Sequence, residues 1–197
     1  MWSAASRVLL ARHGETEWNR IGRRHGQLDS PLTERGRQHA QAIARLCGEL
    51  DADAVFSSPL GRARATAEIV AGSLSLPVVV VDDLAEIDHG VFAGLTNEEI
   101  EEHHPGTLAR RANSKYTWSF PDGESYADAD QRAASALGTI ATSDATSPVV
   151  VAHEMIGRLL LRSLLRLDTA EALGRSLPHG SVVEAHPAHA RAVTHPT

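Results

Sequence analysis

The sequence predicts an α/β fold, a three-layer α/β/α sandwich in which helices cover both faces of a mostly parallel central sheet. Three observations lead there. Short runs of apolar and β-branched residues alternate along the chain with longer stretches whose apolar residues recur at helical spacing. The 197 residues suit one domain, 1–197, with no repeat and no linker to divide it. A segment from about 88 to 123 breaks the alternation with Gly, Pro and paired His, the pattern of an irregular insertion.

Val8–Ala11 is a short apolar run ending in a polar cluster, as a buried strand feeding a functional loop does. Thr33 caps a helix with Ala40, Ile43, Ala44 and Leu46 at helical spacing, and Cys47 on its apolar side reads as a small core residue. Ala54–Ser57 is a second strand. Ser58-Pro59 then breaks the chain before a helix carrying Ala63, Ala67, Ile69 and Val70. Val78–Val81, between Pro77 and Asp82-Asp83, is a third strand. Within the insertion one short acidic helix is predicted near Asn97–Glu102, and Glu124–Thr142 follows as a moderately apolar helix. Val149–Ala152 is the central strand, its valines suited to burial on both faces. Met155, Leu159, Leu160 and Leu164 mark the next helix and Ser181–Ala185 the last strand. The tail from His186 is expected to be loose.

Hydrophobic residues make up 42% and charged residues 22%, as in an ordinary folded domain. A chain of this length buries roughly 70% of the surface its unfolded form exposes, so it needs neither disulfide nor structural metal. Its single cysteine, Cys47, could form no internal disulfide, which suits a reducing, cytoplasmic compartment. Nineteen Lys and Arg against 25 Asp and Glu give a net charge of -6 with no basic tail. That balance argues against nucleic-acid binding, which depends on neutralising many phosphates. Met1–Arg7 has no basic region followed by a long apolar stretch, so neither a signal peptide nor a membrane span is expected.

Arg12-His13-Gly14 falls where the first strand ends, at the sheet edge where α/β folds place ligands. Alone, such a dipeptide most often belongs to a solvated loop. The longer string Leu10-Ala11-Arg12-His13-Gly14-Glu15-Thr16-Glu17-Trp18-Asn19 resembles the signature of the histidine phosphatase superfamily, the group containing cofactor-dependent phosphoglycerate mutases. The resemblance continues in family order through Gly26 to Thr33, Ser57 to Ala67, Leu84 to Gly90, Gly94-Leu95-Thr96 and Val151-Ala152-His153. It implies a metal-independent, histidine acid phosphatase-like phosphomonoester hydrolase of the first branch, acting on a small phosphate ester through a phosphohistidine. No cofactor, nucleic acid or membrane partner is implied. The oligomeric state, a homodimer included, is left open.

The carried-over roles make chemical sense. Phosphate monoesters hydrolyse so slowly unaided that a site needs both gathered positive donors and a nucleophile in line with the leaving oxygen. Arg12 and Arg62 offer planar forks that suit phosphate oxygens. His13, neutral near pH 7, is the expected nucleophile, and a protonated His153 would steady the transferring group. Asn19 can add its amide and Glu154 its backbone N–H, both to the phosphate. Glu86 holds the family position for the general acid. Glu154 rivals it, because a second branch of the superfamily places an acid directly after the second histidine.

The chain departs from the family pattern at His25, where relatives carry Gln, Ser or Thr, and at Glu154, where Gly is common. His25 and Gly26 are therefore expected to face the substrate. The insertion is expected to form a lid, and Phe120–Ser125 resembles the Gly-Glu-Ser turn of phosphatase-like members. Glu17 and Trp18 read as structural. His103, His104, His186 and His189 lack ligand spacing and read as solvated rather than metal-binding. A phosphoglycerate mutase, and a non-catalytic phospho-ligand-binding protein on the same fold, are the alternatives.

Overall fold

A computed structural model of the protein describes residues 6–196, so Met1–Ala5 of the N-terminal reading lie outside the described residues. In chain order the elements are β1 (Val8–Arg12), α1 (Glu17–Arg20), α2 (Glu34–Glu49), β2 (Ala54–Ser57), α3 (Gly61–Leu74) and β3 (Val78–Val80). The insertion holds α4 (Asn97–His103) and α5 (Thr107–Asn113). There follow α6 (Tyr126–Ala141), β4 (Pro148–Ala152), α7 (Glu154–Leu165), α8 (Thr169–Gly174), β5 (Val182–His186) and β6 (Arg191–His195).

The strands form one six-stranded sheet in the order β3-β2-β4-β1-β5-β6. Parallel pairing joins β3 to β2, β2 to β4 and β4 to β1; β5 runs antiparallel to both β1 and β6. Alternate residues of the central strands feed two separate cores. Leu9, Ala11, Val149 and Val151 pack with Ile43 and Cys47 of α2 and with Ala63, Ala67 and Val70 of α3. Leu10, Val150 and Ala152 face the other way, against Ala133 and Ile140 of α6 and Ile156, Leu159 and Leu160 of α7. The expected three layers follow directly. Each fully buried Val, Leu or Ile contributes roughly 1.5–3 kcal/mol, and β1 and β4 present such residues on both sides, which is why their runs show no polar alternation. Cys47 is buried, and burial raises its thiol to about 12, as a small core residue requires.

Three expectations are corrected. The tail from His186 is not loose: Pro187–His189 form a turn, and β6 pairs along its length with β5, from His195 opposite Val182 to Arg191 opposite His186. Its side chains are half-buried or exposed, so the strand carries almost no hydrophobic signal, and backbone pairing with a His195–Glu184 contact of 2.8 Å holds it. The insertion has two helices; α5 starts behind Gly106 in the left-handed region and its first turn lacks an acid or a side-chain cap, so no start signal marks it. The third strand ends at Val80, and Val79 and Val80 sit exposed on the sheet edge. Among the described residues no helix is long and apolar enough to cross a membrane.

Candidate active site

β1, β4 and β2 lie side by side and end at the same edge, so the residues that follow them converge. His13 N–H donates to Ala152 O and Ser58 N–H to Val151 O, both at 3.0 Å, which aligns the three strand ends. Such a crevice at the carboxyl ends of parallel strands is where open α/β sheets receive ligands. Gly14 lets the loop after β1 lie directly on the first turn of α2: a Cβ there would collide with the Gly36 carbonyl.

His13 is buried, and its hydrogen bonds define its tautomer. Nδ1–H donates to Gly14 O at 2.8 Å, and since a carbonyl only accepts, the proton resides on Nδ1 and Nε2 carries the lone pair. Arg62 Nε–H points at that same Nε2 from 3.3 Å. Burial, then His153, Arg62 and Arg12, hold His13 well below the usual histidine range, so the ring is neutral near pH 7. His179, which the sequence reading missed, donates from Nδ1 to His13 O at 2.7 Å and packs its ring 5.4 Å from that of His13.

Arg62 lies in the first turn of α3 and its guanidinium is held by three acceptors. Nη1 donates to Leu28 O at 2.7 Å and Asp29 Oδ1 at 2.8 Å, and Nη2 to Gly26 O at 2.9 Å. Asp29 also accepts from the Gly61 and Arg62 amides, so one carboxylate caps the helix and aims its guanidinium. The Nη1 prong is thereby occupied, and the Nε–Nη2 edge is the one turned to His13. Gly26, at φ +53 and with no room for a Cβ beside His89, supplies its carbonyl to Arg62. A lysine in place of Arg62 could not satisfy these acceptors. Arg62→Lys is expected to cost about 10²–10³-fold in kcat/KM, as removal of a preorganised donor does. It should also lower the urea midpoint, because buried acceptors left unpaired cost about 1–3 kcal/mol each. Wild-type kinetics in this variant would show that the guanidinium geometry is immaterial.

His153 follows β4 and precedes α7, its ring 5.2 Å from that of His13 and its Nε2 2.7 Å from Ser58 Oγ. Its Nδ1 is buried with no hydrogen-bond partner among the described residues. The sequence reading assigns His153 its steadying role only if protonated; burial, then Arg62 and Arg12, hold it well below the usual histidine range. Arg12 Nη1 donates to Glu154 Oε2 at 3.2 Å, and Glu154 Oε1 accepts from Arg158 Nη2 at 2.8 Å. Arg12 Nε has no partner among the described residues.

Glu86 is buried at the start of α7. Oε2 accepts from the Met155 amide at 3.0 Å, and Oε1 from the Ile156 and Ile87 amides at 2.9 Å. Asn19 Oδ1 accepts from the Thr16 backbone and hydroxyl, which leaves its NH₂ group as the donor for a ligand. His25 lines the same cavity, yet its Nε2 is taken by Thr16 Oγ1 at 2.8 Å, and burial lowers it to about 3. Glu17 is exposed and pairs with Arg20, and Trp18 lies 5.3 Å from His25.

Arg12, His13, Asn19, His25, Gly26, Arg62, Glu86 and Glu154 border a cavity of about 280 Å³, sized for a small metabolite, and His153 is not among its lining residues. His89, Arg23, Arg24, Arg111, Lys115 and Arg158, none of them singled out from sequence, complete its wall. A larger hollow of about 470 Å³ beside α6 and α7 is lined mainly by apolar residues and holds none of this chemistry. Among the described residues no three His, Cys, Asp or Glu side chains are placed to hold a metal ion. Two of the histidines read as solvated are engaged: His104 packs 5.2 Å from Phe92, and His186 lies 3.1 Å from Glu184.

Residues 8–195 match the model of the histidine phosphatase superfamily, branch 1. The chain is 34% identical to phosphoserine phosphatase 1 of Hydrogenobacter thermophilus, over 84% of this chain and 79% of that protein. It is 33% identical to a protein of Salmonella arizonae named a probable phosphoglycerate mutase GpmB, over 81% and 75%. Among solved structures, the mycobacterial glucosyl-3-phosphoglycerate phosphatase in complex with VO3 superposes with a TM-score of 0.81 at 31% identity, covering 91% of this chain and 90% of that one. The α-ribazole phosphatase of Shigella flexneri superposes with a TM-score of 0.81 at 25% identity, covering 90% and 89%.

Proposed function

Because the chain belongs to branch 1 of the histidine phosphatase superfamily, we propose that it is a metal-independent phosphomonoesterase that hydrolyses a small phosphate ester through a phosphohistidine on His13. The observation that carries this reading is the His13 tautomer: a buried neutral ring with Nδ1–H spent on a carbonyl and a lone pair on Nε2, facing Arg62. Nε2 attacks phosphorus, the N–P bond forms, and the ester P–O bond breaks with its electron pair leaving on oxygen. Glu86 gives that oxygen a proton. Water then attacks the phosphohistidine, passes a proton back to Glu86 and restores His13 as the N–P bond breaks. Arg12, Arg62 and the Asn19 amide meet the phosphate oxygens, the Glu154 backbone N–H adds a donor at the start of α7, and His153 offers its Nδ1 side.

Glu86 is preferred over Glu154 as the proton donor because it holds the family position and lines the cavity beside His13, while both oxygens of Glu154 are engaged by Arg12 and Arg158. The test compares esters of different leaving groups with chelator present. Phosphate release from nitrophenyl and alkyl phosphates should proceed with chelator, and a chelator-sensitive rate would overturn the metal-independent reading. Glu86→Gln should slow alkyl phosphates far more than nitrophenyl phosphate, because nitrophenolate leaves without much help. Glu154→Gln should slow both alike through Arg12. A reversed pattern would assign the acid to Glu154, and isomerisation of phosphoglycerate without phosphate release would identify a mutase.

A further inference from the structure

Ser58, directly after β2, is fully buried, and among the described residues its hydroxyl is the one hydrogen-bonding partner of the His153 ring. The Ser58 amide donates to Val151 O at 3.0 Å, and its carbonyl accepts from Ser57 Oγ at 2.9 Å. The hydroxyl oxygen accepts from the Leu60 amide at 3.3 Å and lies 2.7 Å from His153 Nε2. The protons between Ser58 and His153 can be arranged in two ways. In the first, Ser58 O–H donates to a bare Nε2 and the ring proton sits on Nδ1, so that the Nδ1–H alone lacks a partner. In the second, Nε2–H donates to Ser58, and the buried hydroxyl hydrogen and the Nδ1 lone pair are both left unmet. Each buried polar group without a partner costs its lost hydration, so the first arrangement is the more stable.

Resting on the phosphatase reading above, we propose that Ser58 is a positioning residue, which holds the proton of His153 on Nδ1 so that the ring donates an N–H to the phosphoryl group. Phosphoryl oxygens carry lone pairs, and a ring that presented a bare nitrogen to them would repel them. Burial, then Arg62 and Arg12, hold His153 well below the usual histidine range, so near pH 7 the ring has one N–H to place. Where that hydrogen sits decides whether the ring helps or hinders. The rings of His153 and His13 stand 5.2 Å apart, close enough for a phosphoryl oxygen carried on one to accept from the other. The two histidines are set in opposite senses by their partners. Gly14 O accepts the Nδ1–H of His13 and leaves Nε2 as a nucleophile, whereas Ser58 O–H donates to Nε2 of His153 and leaves Nδ1–H as a donor.

Long-range ¹H–¹⁵N correlation on the full-length protein labelled with [¹⁵N]histidine reads the tautomer without turnover, and the His153→Gln spectrum identifies the His153 resonances. Near pH 7 the His153 Nε2 should be pyridine-like and Nδ1 pyrrole-like; the opposite assignment would overturn the proposal. Inorganic phosphate, at a concentration that shifts the His13 resonances, should shift His153 Nδ1 as well while Nε2 stays pyridine-like, and an unmoved Nδ1 would also overturn it. In Ser58→Ala the His153 Nε2 should move toward the pyrrole-like range. Its kcat/KM should fall about 10–10²-fold, less than for deleting a preorganised donor because the ring remains. Nitrophenyl and alkyl phosphates should be slowed alike, since His153 meets the phosphoryl group and not the leaving oxygen. A wild-type tautomer in Ser58→Ala, or a moved tautomer with wild-type kcat/KM, would overturn the role of Ser58. The expected wild-type tautomer with no phosphate release from any ester would instead overturn the phosphatase reading.

Discussion

Replacing His13 with Ala is expected to lower phosphate release at least about 10⁴-fold, the scale of losing a nucleophile that works as one unit with its surroundings. The wild-type protein, quenched during turnover of a ³²P-labelled ester, should retain acid-labile label, and His13→Ala should retain none. The loss is chemical, not structural. The ring donates one hydrogen bond to Gly14 O and accepts one from Arg62 Nε, while the strand is held by the His13 backbone amide on Ala152 O, which alanine keeps. Circular dichroism and the urea midpoint should therefore stay close to wild type. Appreciable turnover by His13→Ala, or label persisting on it, would move the nucleophile elsewhere.

Below pH 6.5 the fold is expected to lose stability steeply. His13, His25, His89 and His153 are buried, and burial is the first cause that lowers each, to about 3 for His25 and His89 and well below the usual range for His13 and His153. At pH 5 the unfolded chain binds protons at these four positions and the folded chain does not, so stability rises with pH there and falls as pH falls. The effect is absent above about pH 7 and grows from 6.5 downward, until the folded histidines themselves titrate. Each such group costs up to ~1.4 kcal/mol per pH unit between its unfolded and folded values. A domain's whole stability is roughly 5–15 kcal/mol. Urea midpoints measured from pH 7.5 to 5 should drop sharply, and His89→Leu, which removes one of the four, should move the acid transition to lower pH. A midpoint that is flat down to pH 5 would refute the account.

The functional consequence is a site made for neutral pH. The same burial that keeps His13 neutral, as the proposed nucleophile needs to be, is expected to make the molecule acid-sensitive. Gly26 and Asp29 show how closely the two are joined: they complete the partners of Arg62, and Arg62 in turn aims at His13.

What the chain determines by itself is what local patterning and motif order encode. The paired faces of β1 and β4, the Thr33 cap and the helix after Ser58-Pro59 are visible as apolar period and capping chemistry. Their order places Arg12 and His13 at a strand end, and the resemblance to the family adds Arg62, Glu86 and His153 to the same site. Elements held by backbone pairing leave no such trace: β6 turns half-buried or exposed side chains outward, and α5 starts without an acidic or capping side chain. Charge states escape for a similar reason. The sequence leaves the charge of His153 open, and only its burial beside Arg12 and Arg62 holds it well below the usual histidine range. Asp29 sits in a recognised block, but its hold on Arg62 joins residues 33 positions apart. Arg24, Arg111 and Lys115 are separated in sequence by up to 91 positions and resemble ordinary surface cations. Only the packing of the insertion over the strand ends brings them to the wall of one cavity.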